Sequence, residues 1–398
     1  QRECEVNIET AVEVIGVERA SLMLYDEKKE RLRIKAAHGQ ILSREELFQI
    51  EVAPGEGISG KVFQSGEHLL IENVDENPSS GFLYKNRQYK STSFLSVPMI
   101  CTPNQAEKKV IGVINMTDKK SSEMFTSGDL RLLTAVASQA AISLYNIQLI
   151  EEVKDAERVK REMEIAQQIQ IGLLPGKPPT IPGIELAGRC LPATQVGGDY
   201  YDFFLSSKNK LGVVIADVSG HNVGAALMMA AARSALRSEV LTQRSPAEIL
   251  KNTNFVLYDD LTHAELFMTM FYAEYEAHTK IFCYSNGGHN YPILLRDGAC
   301  SFLDTDGMLI GMLASVEFEE KTLSLQSNDF VIFYTDGVVE AVNEEGKMFK
   351  VERLCRVIEA NWRCNAQQLV NKIFEELDRY TENTFRSDDI TVVVLKIH

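Results

Sequence analysis

Four aspartates, Asp199, Asp217, Asp336 and Asp388, each stand where an apolar, strand-like run meets a turn, and a folded sheet would bring all four to one end. Their mutual repulsion there demands a divalent cation. An all-oxygen, carboxylate-rich set suits a hard ion such as Mn2+ or Mg2+, and two such ions about 3.5 to 4 Å apart share a carboxylate and a bridging water. That water is acidified towards hydroxide at neutral pH and can attack a phosphorus centre in line. Hydrolysis of a phosphate monoester is the reaction these residues predict, with no protein nucleophile needed.

A lone Asp at a strand end is most often a turn or cap residue, so the flanking residues decide. Asp199 follows Val196-Gly197-Gly198 and precedes Tyr200-Tyr201-Asp202-Phe203-Phe204. The apolar strand Leu211 to Ala216 ends at Asp217, and Val218-Ser219-Gly220-His221-Asn222 continues it as a turn into an Ala/Met/Leu-rich helix, Gly224 to Leu236. A strand from Phe330 to Thr335 runs into Asp336-Gly337, and Asp388-Asp389 opens the strand Ile390 to Ile397. Neighbouring residues at a strand start point in different directions, so only one of Asp388 and Asp389 is expected to meet the metal. Four acids held by strand ends form a more rigid set than four acids on loops.

The chain has 398 residues, 45% of them hydrophobic and 24% charged, which suffices for two domains with separate cores and excludes a disordered chain. Its formal charge of -15 disfavours nonspecific binding to nucleic acid or anionic lipid. The seven cysteines, Cys4, Cys101, Cys190, Cys283, Cys300, Cys355 and Cys364, contain no CxxC pair. They signal neither a zinc site nor a disulfide framework, which fits a reducing cytoplasm. Cys190 and Cys283 read as small core residues. No apolar run approaches the roughly 18 residues that span a bilayer, and no secretion signal opens the chain. Because the chain begins at Gln1 rather than Met, whether an upstream segment or tether exists stays open.

The elements that must position the acids follow from periodicity. Ala20 to Tyr25 and Arg31 to Ala37 alternate about a charged turn and predict a hairpin; Leu69 to Ile71, Phe94 to Ile100 and Val110 to Asn115 predict further strands. A short helix is expected over Gly57 to Gln64, and an apolar helix after Thr126-Ser127-Gly128-Asp129. Gly55 to Val62 nearly spells a phosphate-binding loop, but Val62 stands where a hydroxyl would coordinate magnesium, so a glycine-rich turn into a helix is the reading. From Leu144 to Leu174 the apolar residues Leu149, Val153, Ala156, Val159, Met163, Ala166, Ile169 and Leu173 recur every three or four positions, close to the coiled-coil repeat. A helix ending before Pro175 and seaming a parallel homodimer is expected.

Arg19-Ala20-Ser21, Pro54-Gly55-Glu56-Gly57-Ile58-Ser59-Gly60, Ile111-Gly112-Val113-Ile114-Asn115 and the run from Phe125-Thr126 to Asn146 together resemble the GAF family of sensor domains. That resemblance implies an antiparallel sheet flanked by helices, binding a small molecule or serving dimerisation. Asn115, Phe125 and Asp129 match part of the pattern of cyclic-nucleotide-binding members, while Leu130 replaces its final acid, so a cyclic nucleotide is not implied.

Six further motifs resemble the metal-dependent PPM-type serine/threonine phosphatases of the SpoIIE/RsbU-like branch. They are Ala166-Gln167-Gln168-Ile169-Gln170 with Leu173-Leu174-Pro175, Gly197 to Asp202, Asp217 to His221, Asn286-Gly287-Gly288-His289-Asn290, Thr335 to Ala341, and Asp388-Asp389-Ile390-Thr391. The resemblances imply an α+β chain: a GAF domain over residues 1–143, a helical coiled-coil linker over 144–175, and an α-β-β-α phosphatase sandwich over 176–398. They imply that Asp199 and Asp217 ligate a two-ion Mn2+ or Mg2+ centre, with Asp217 bridging and the Val218 carbonyl adding a ligand. Asp336 and, by motif position, Asp388 would complete one ion's set. His221 is open between a general acid and a turn residue, and His289 reads as orienting the turn before Tyr291-Pro292. Asn222 stands where the family commonly has glycine, which predicts a turn asking positive φ of asparagine. The implied substrate is a phosphorylated STAS-type anti-sigma-factor antagonist, with the GAF domain and helix shifting the enzyme between metal-competent and incompetent states. Two other readings stand beside this one. A GAF-phosphatase scaffold could have lost catalysis, or Gly197-Gly198-Asp199-Tyr200-Tyr201 could be a diguanylate cyclase's GGDEF signature, in which Tyr200 lacks the required acid.

Overall fold

An amphipathic helix and a hairpin open the chain in the computed structural model, which describes residues 2–39, 43–71, 93–102, 108–205, 210–382 and 384–398. Two units, 1–158 and 159–398, each hold their own core. In the first, α1 (Arg2–Ile15) buries Cys4, Ile8, Ala11, Val12 and Ile15 at helical intervals. The hairpin β1 (Val17–Asp26) and β2 (Arg31–His38) forms as expected. It is followed by α2 (Arg44–Phe48), β3 (Glu51–Val52), α3 (Gly57–Ser65), β4 (Leu69–Ile71), β5 (Phe94–Cys101), β6 (Lys109–Lys119) and α4 (Ser127–Leu173). Among the described residues the strands make one antiparallel sheet in the order β3-β2-β1-β6-β5-β4.

Both faces of that sheet are covered, because side chains alternate across a strand. Leu22, Val97, Ile114 and Met116 pack against α1 and against Leu133, Ala137 and Ala141 of α4. Met23, Ile34 and Val113 pack on the other face with Leu47 of α2 and Val62 of α3. The glycine-rich run is a turn: Gly55 and Gly57 have φ of +80° and +59°, and a Cβ on Gly60 would lie 2.2 Å from the Ala53 carbonyl oxygen. Glycine is the residue that fits there.

Helix α4 differs from expectation in two ways. It is one continuous helix of 47 residues rather than a domain helix followed by a linker; between Gly128 and Gly172 no Gly or Pro interrupts it. It also holds a stretch long and apolar enough, by length and composition alone, to cross a membrane, where the sequence reading found none. Four of its small and apolar residues, Leu133, Ala137, Ala140 and Ala141, are buried in the domain core instead. Leu149, Val153, Val159 and Ile169 are exposed.

The second unit comprises β7 (Ile184–Leu191), β8 (Tyr200–Leu205), β9 (Lys210–Val218), α5 (Val223–Val240), α6 (Pro246–His263), β10 (Met268–Glu276), β11 (Ile281–Gly287), β12 (Ile293–Arg296) and β13 (Ala299–Phe302). It continues with β14 (Glu320–Ser324), β15 (Phe330–Tyr334), α7 (Asp336–Glu340), α8 (Val351–Ala360), α9 (Ala366–Tyr380) and β16 (Ile390–Ile397). Among the described residues two antiparallel sheets result, β14-β11-β10-β9-β8 and β13-β12-β15-β16-β7. Their inner faces meet through Tyr201, Val213, Ile215, Phe271, Phe333 and Val393. Helices α5 and α6 cover the first sheet with Met229, Leu236 and Leu250 against Val214 and Met270. Helices α8 and α9 cover the second with Leu354, Ile358 and Phe374 against Ile332 and Val392. The layers run α-β-β-α. Central strands are therefore buried on both sides, which is why β9 and β16 read as unbroken apolar runs.

Candidate metal centre

Strand ends from both sheets bring the predicted acids together. Asp199 immediately precedes β8, Asp217 is the penultimate residue of β9, Asp336 opens α7 after β15, and Asp388 lies two residues before β16. Because β8 pairs with β9 so that Tyr200 faces Ala216, the first two acids sit side by side. Asp336 and Asp388 approach from the second sheet and repel Asp217.

Asp199 is 3% exposed and stitches the two sheets. Its Oδ2 accepts from the Thr335 hydroxyl at 2.9 Å and the Thr391 hydroxyl at 2.5 Å, while its Oδ1 has no hydrogen-bond partner. Thr335 is itself tied to Thr391, whose N–H donates to the Thr335 hydroxyl at 3.0 Å. Sequence reasoning passed over both threonines: each lies in the motif of another acid, Thr335 beside Asp336 and Thr391 after Asp388-Asp389, while the acid it bonds is Asp199. Their role needs the partner strand.

Asp389 takes a different part. Its carboxylate accepts from the Ala193 N–H at 2.8 Å and the Gly198 N–H at 2.7 Å, holding the loop that carries Asp199. A Cβ on Gly197 would lie 2.1 Å from the Asp389 Oδ2, and one on Gly337 would lie 1.9 Å from the Asp389 carbonyl oxygen. Both glycines are thus explained by Asp389. In the same loop, Gln170 of α4 clamps the Gly197 peptide twice: its Nε2 donates to the Gly197 carbonyl at 2.5 Å and its Oε1 accepts the Gly197 N–H at 3.0 Å.

Gly198 opens a cradle. The point a Cβ would occupy there is 2.4 Å from the Val218 carbonyl oxygen, 3.0 Å from the Gly220 carbonyl oxygen and 3.3 Å from Asp217 Oδ1. The missing side chain lets three oxygens, the donor type that hard divalent cations take, gather beside the loop that carries Asp199. Charge gives the same answer. Burial, then repulsion from Asp336, Asp388 and Asp389, pushes Asp217 up to about 8. Burial and the Asp217 charge raise Asp199 well above the ordinary carboxylate range, and burial with the Asp388 and Glu340 charges raises Asp336. A divalent cation would remove that penalty and engage the unpartnered Asp199 Oδ1. Among the described residues no three acid, histidine or cysteine side chains already close into a finished cage. The fit is one of charge and donor type at an open end of the sandwich.

The turn residues need one correction. Asn222 has φ of -112° and caps α5, its side chain accepting from the Ala225 N–H at 3.0 Å. No positive φ is asked of it; Gly220 supplies that, at +88°. His221 is exposed in the same turn. His289 is buried, and its N–H donates to Asn286 Oδ1 at 2.7 Å while Asn286 Nδ2 donates back to its carbonyl at 2.9 Å. The His289 Nδ1 lies 2.7 Å from the hydroxyl of Thr269, which faces Asp217 across β9 and β10. Burial pushes His289 down to about 4, so the ring is neutral. Asp202 stands apart from the centre, bonded to the Tyr200 hydroxyl and paired with Arg237 at 2.7 Å.

Comparison with known proteins bears on the family and the fold. Residues 207–398 match the model of Stage II sporulation protein E (SpoIIE), and residues 1–144 match the GAF domain. The chain is 31% identical over 242 residues to phosphoserine phosphatase RsbU of Bacillus subtilis, covering 60% of this chain and 71% of that protein. It is 26% identical over 186 residues to phosphoserine phosphatase RsbP of the same organism, 46% of either protein. The SiaA-PP2C domain of Pseudomonas aeruginosa superposes with a TM-score of 0.55 at 20% identity, over 61% of this chain and 99% of that domain, and shows the PP2C fold. With these matches spanning both units, the chain belongs to the SpoIIE/RsbU-like family of PP2C-type serine/threonine phosphatases that carry a GAF domain.

Proposed function

We propose that this phosphatase works with two Mn2+ or Mg2+ ions held by Asp199, Asp217, Asp336, Asp388 and the Val218 carbonyl, with Asp217 shared between them. The observation that carries the reading is the three-oxygen cradle beside Gly198, next to the unpartnered Asp199 Oδ1. When bound, the ions supply positive charge to the phosphoryl oxygens and acidify the attacking water. The chain's own part is positional. Thr335 and Thr391 fix one oxygen of the Asp199 carboxylate, and Asp389 and Gln170 hold the Gly197-Gly198 loop.

The proposed substrate is a phosphoserine or phosphothreonine of a signalling protein, a STAS-type anti-sigma-factor antagonist; likeness to RsbU supports the phosphoserine class. The proposed setting is the cytoplasm. The GAF domain, with or without a small-molecule ligand, would act through α4, whose Gln170 touches the metal loop directly. The cyclase reading loses its support, since Tyr200 and Asp202 are tied into the β8–α5 packing. Asp217→Asn tests the remaining choice between enzyme and silent scaffold. Mn2+-dependent hydrolysis of a phosphopeptide should fall by more than about two orders of magnitude, with loss of Mn2+ uptake in calorimetry. Undiminished turnover would overturn the metal assignment, and a wild-type chain that takes up no Mn2+ would favour the scaffold.

A further inference from the structure

Cys300 and Cys355 meet where the edge strand β13 lies against α8. Strand pairing sets Cys300 opposite Leu295 at the open edge of the second sheet. Its backbone N–H donates to Glu359 Oε1 at 3.2 Å, so the strand is registered on the helix one turn beyond Cys355. The Cys300 thiol lies 3.9 Å from the Cys355 carbonyl oxygen, so the two residues are in contact. Both residues are half-buried, within reach of a small solute, and both flank the core under α8. Other thiols are engaged elsewhere: Cys101 donates to the Lys109 carbonyl and Cys190 bonds Thr391.

We propose that Cys300 and Cys355 are a modification site, a thiol pair that a peroxide converts into a reversible disulfide, with Cys355 attacking and Cys300 resolving. The inference is independent of the metal centre. Residues already in contact need less movement to reach disulfide geometry than more distant pairs do. The opposite shifts of the two thiols set the order of attack. The Cys300 thiol holds Cys355 below its ordinary value against burial and the Glu359 and Glu352 charges, while Cys300 itself is raised. The thiolate is the reactive form.

In the first step the Cys355 thiolate attacks one oxygen of hydrogen peroxide and the O–O bond breaks. Hydroxide leaves and takes the thiol's proton to become water, and Cys355 becomes a sulfenic acid. In the second step the Cys300 thiol loses its proton and attacks the sulfenic sulfur. The S–O bond breaks, and the departing hydroxide takes up that proton as a second water. Two thiols are oxidised by two electrons, one peroxide is reduced, and two waters form. The new bond would close a loop of 55 residue steps and pin α8 to the sheet edge. Helix α8 is bonded back to the Asp336-bearing α7 segment through Lys350 N–H to the Val339 carbonyl at 2.8 Å.

The test uses the full chain treated with hydrogen peroxide, alkylated and digested. The expected product joins the Cys300 and Cys355 peptides, two hydrogens lighter than their sum, and disappears with dithiothreitol. The oxidised protein should melt several degrees higher than the reduced one. Cys300→Ser should stop at the sulfenic acid and give a dimedone adduct on Cys355, with circular dichroism showing the variant folded. Linkage between other cysteines, or full recovery of both free thiols from folded wild type, would overturn the proposal. Equal dimedone labelling of Cys300 in Cys355→Ser would overturn the order of attack.

Discussion

Asp199 is held at one oxygen by two threonine hydroxyls and left without a hydrogen-bond partner at the other, the state the proposed ion would complete. Its neighbour Asp217 has a consequence for stability. A carboxyl raised to about 8 in the folded state binds a proton there more tightly than in the unfolded chain. In metal-free protein its contribution is fully present below the ordinary carboxylate range and is lost as pH rises through about 8. The metal-free Asp217→Asn variant should therefore gain melting temperature over wild type as pH goes from about 5 to about 9, and saturating Mn2+ should reverse the ranking. A pH-independent difference between the two would count against repulsion at this site. The four acids were legible as residues at strand ends. Thr335, Thr391 and the anchoring role of Asp389 were not, because their partners lie 136, 192 and 191 residues away and meet only when two sheets close.

Helix α4 is the element that links sensor and site, and its last turns do so through Gln170. A side-chain amide that both donates to and accepts from one peptide fixes that peptide's plane, and Gly197 is two residues from Asp199. Gln170→Ala should raise the Mn2+ concentration for half-maximal phosphopeptide hydrolysis by about tenfold, with most of the maximal rate recovered at high Mn2+. A loss of rate that excess metal leaves unchanged would assign Gln170 to packing alone. The heptad-like spacing foretold the helix but not its length, since the repeat changes from a buried face at Leu133 and Ala137 to an exposed one at Leu149 and Val153. Periodicity records that a face is apolar; what covers the face is a tertiary fact.

The whole chain carries its apolar helix stripe uncovered, with Val153 57% and Val159 51% exposed. We expect full-length protein to sediment as a dimer and the double variant Val153→Asp, Val159→Asp to sediment as a monomer at the same concentration. Wild type that remains monomeric at tens of micromolar would refute the helical seam. Removing residues before Lys177 should then change the phosphatase rate, and the direction of the change would show whether the sensor restrains or activates. By itself, the sequence determined the two-unit plan, the strands and the four acids, because alternation, apolar runs and turn residues are local properties of a chain. Only the tertiary structure decided that Asp389 anchors the Gly198 loop, that three oxygens gather beside Gly198, and that Gln170 bonds the Gly197 peptide. Those are distances between residues far apart in sequence, and they exist only after two sheets pack face to face.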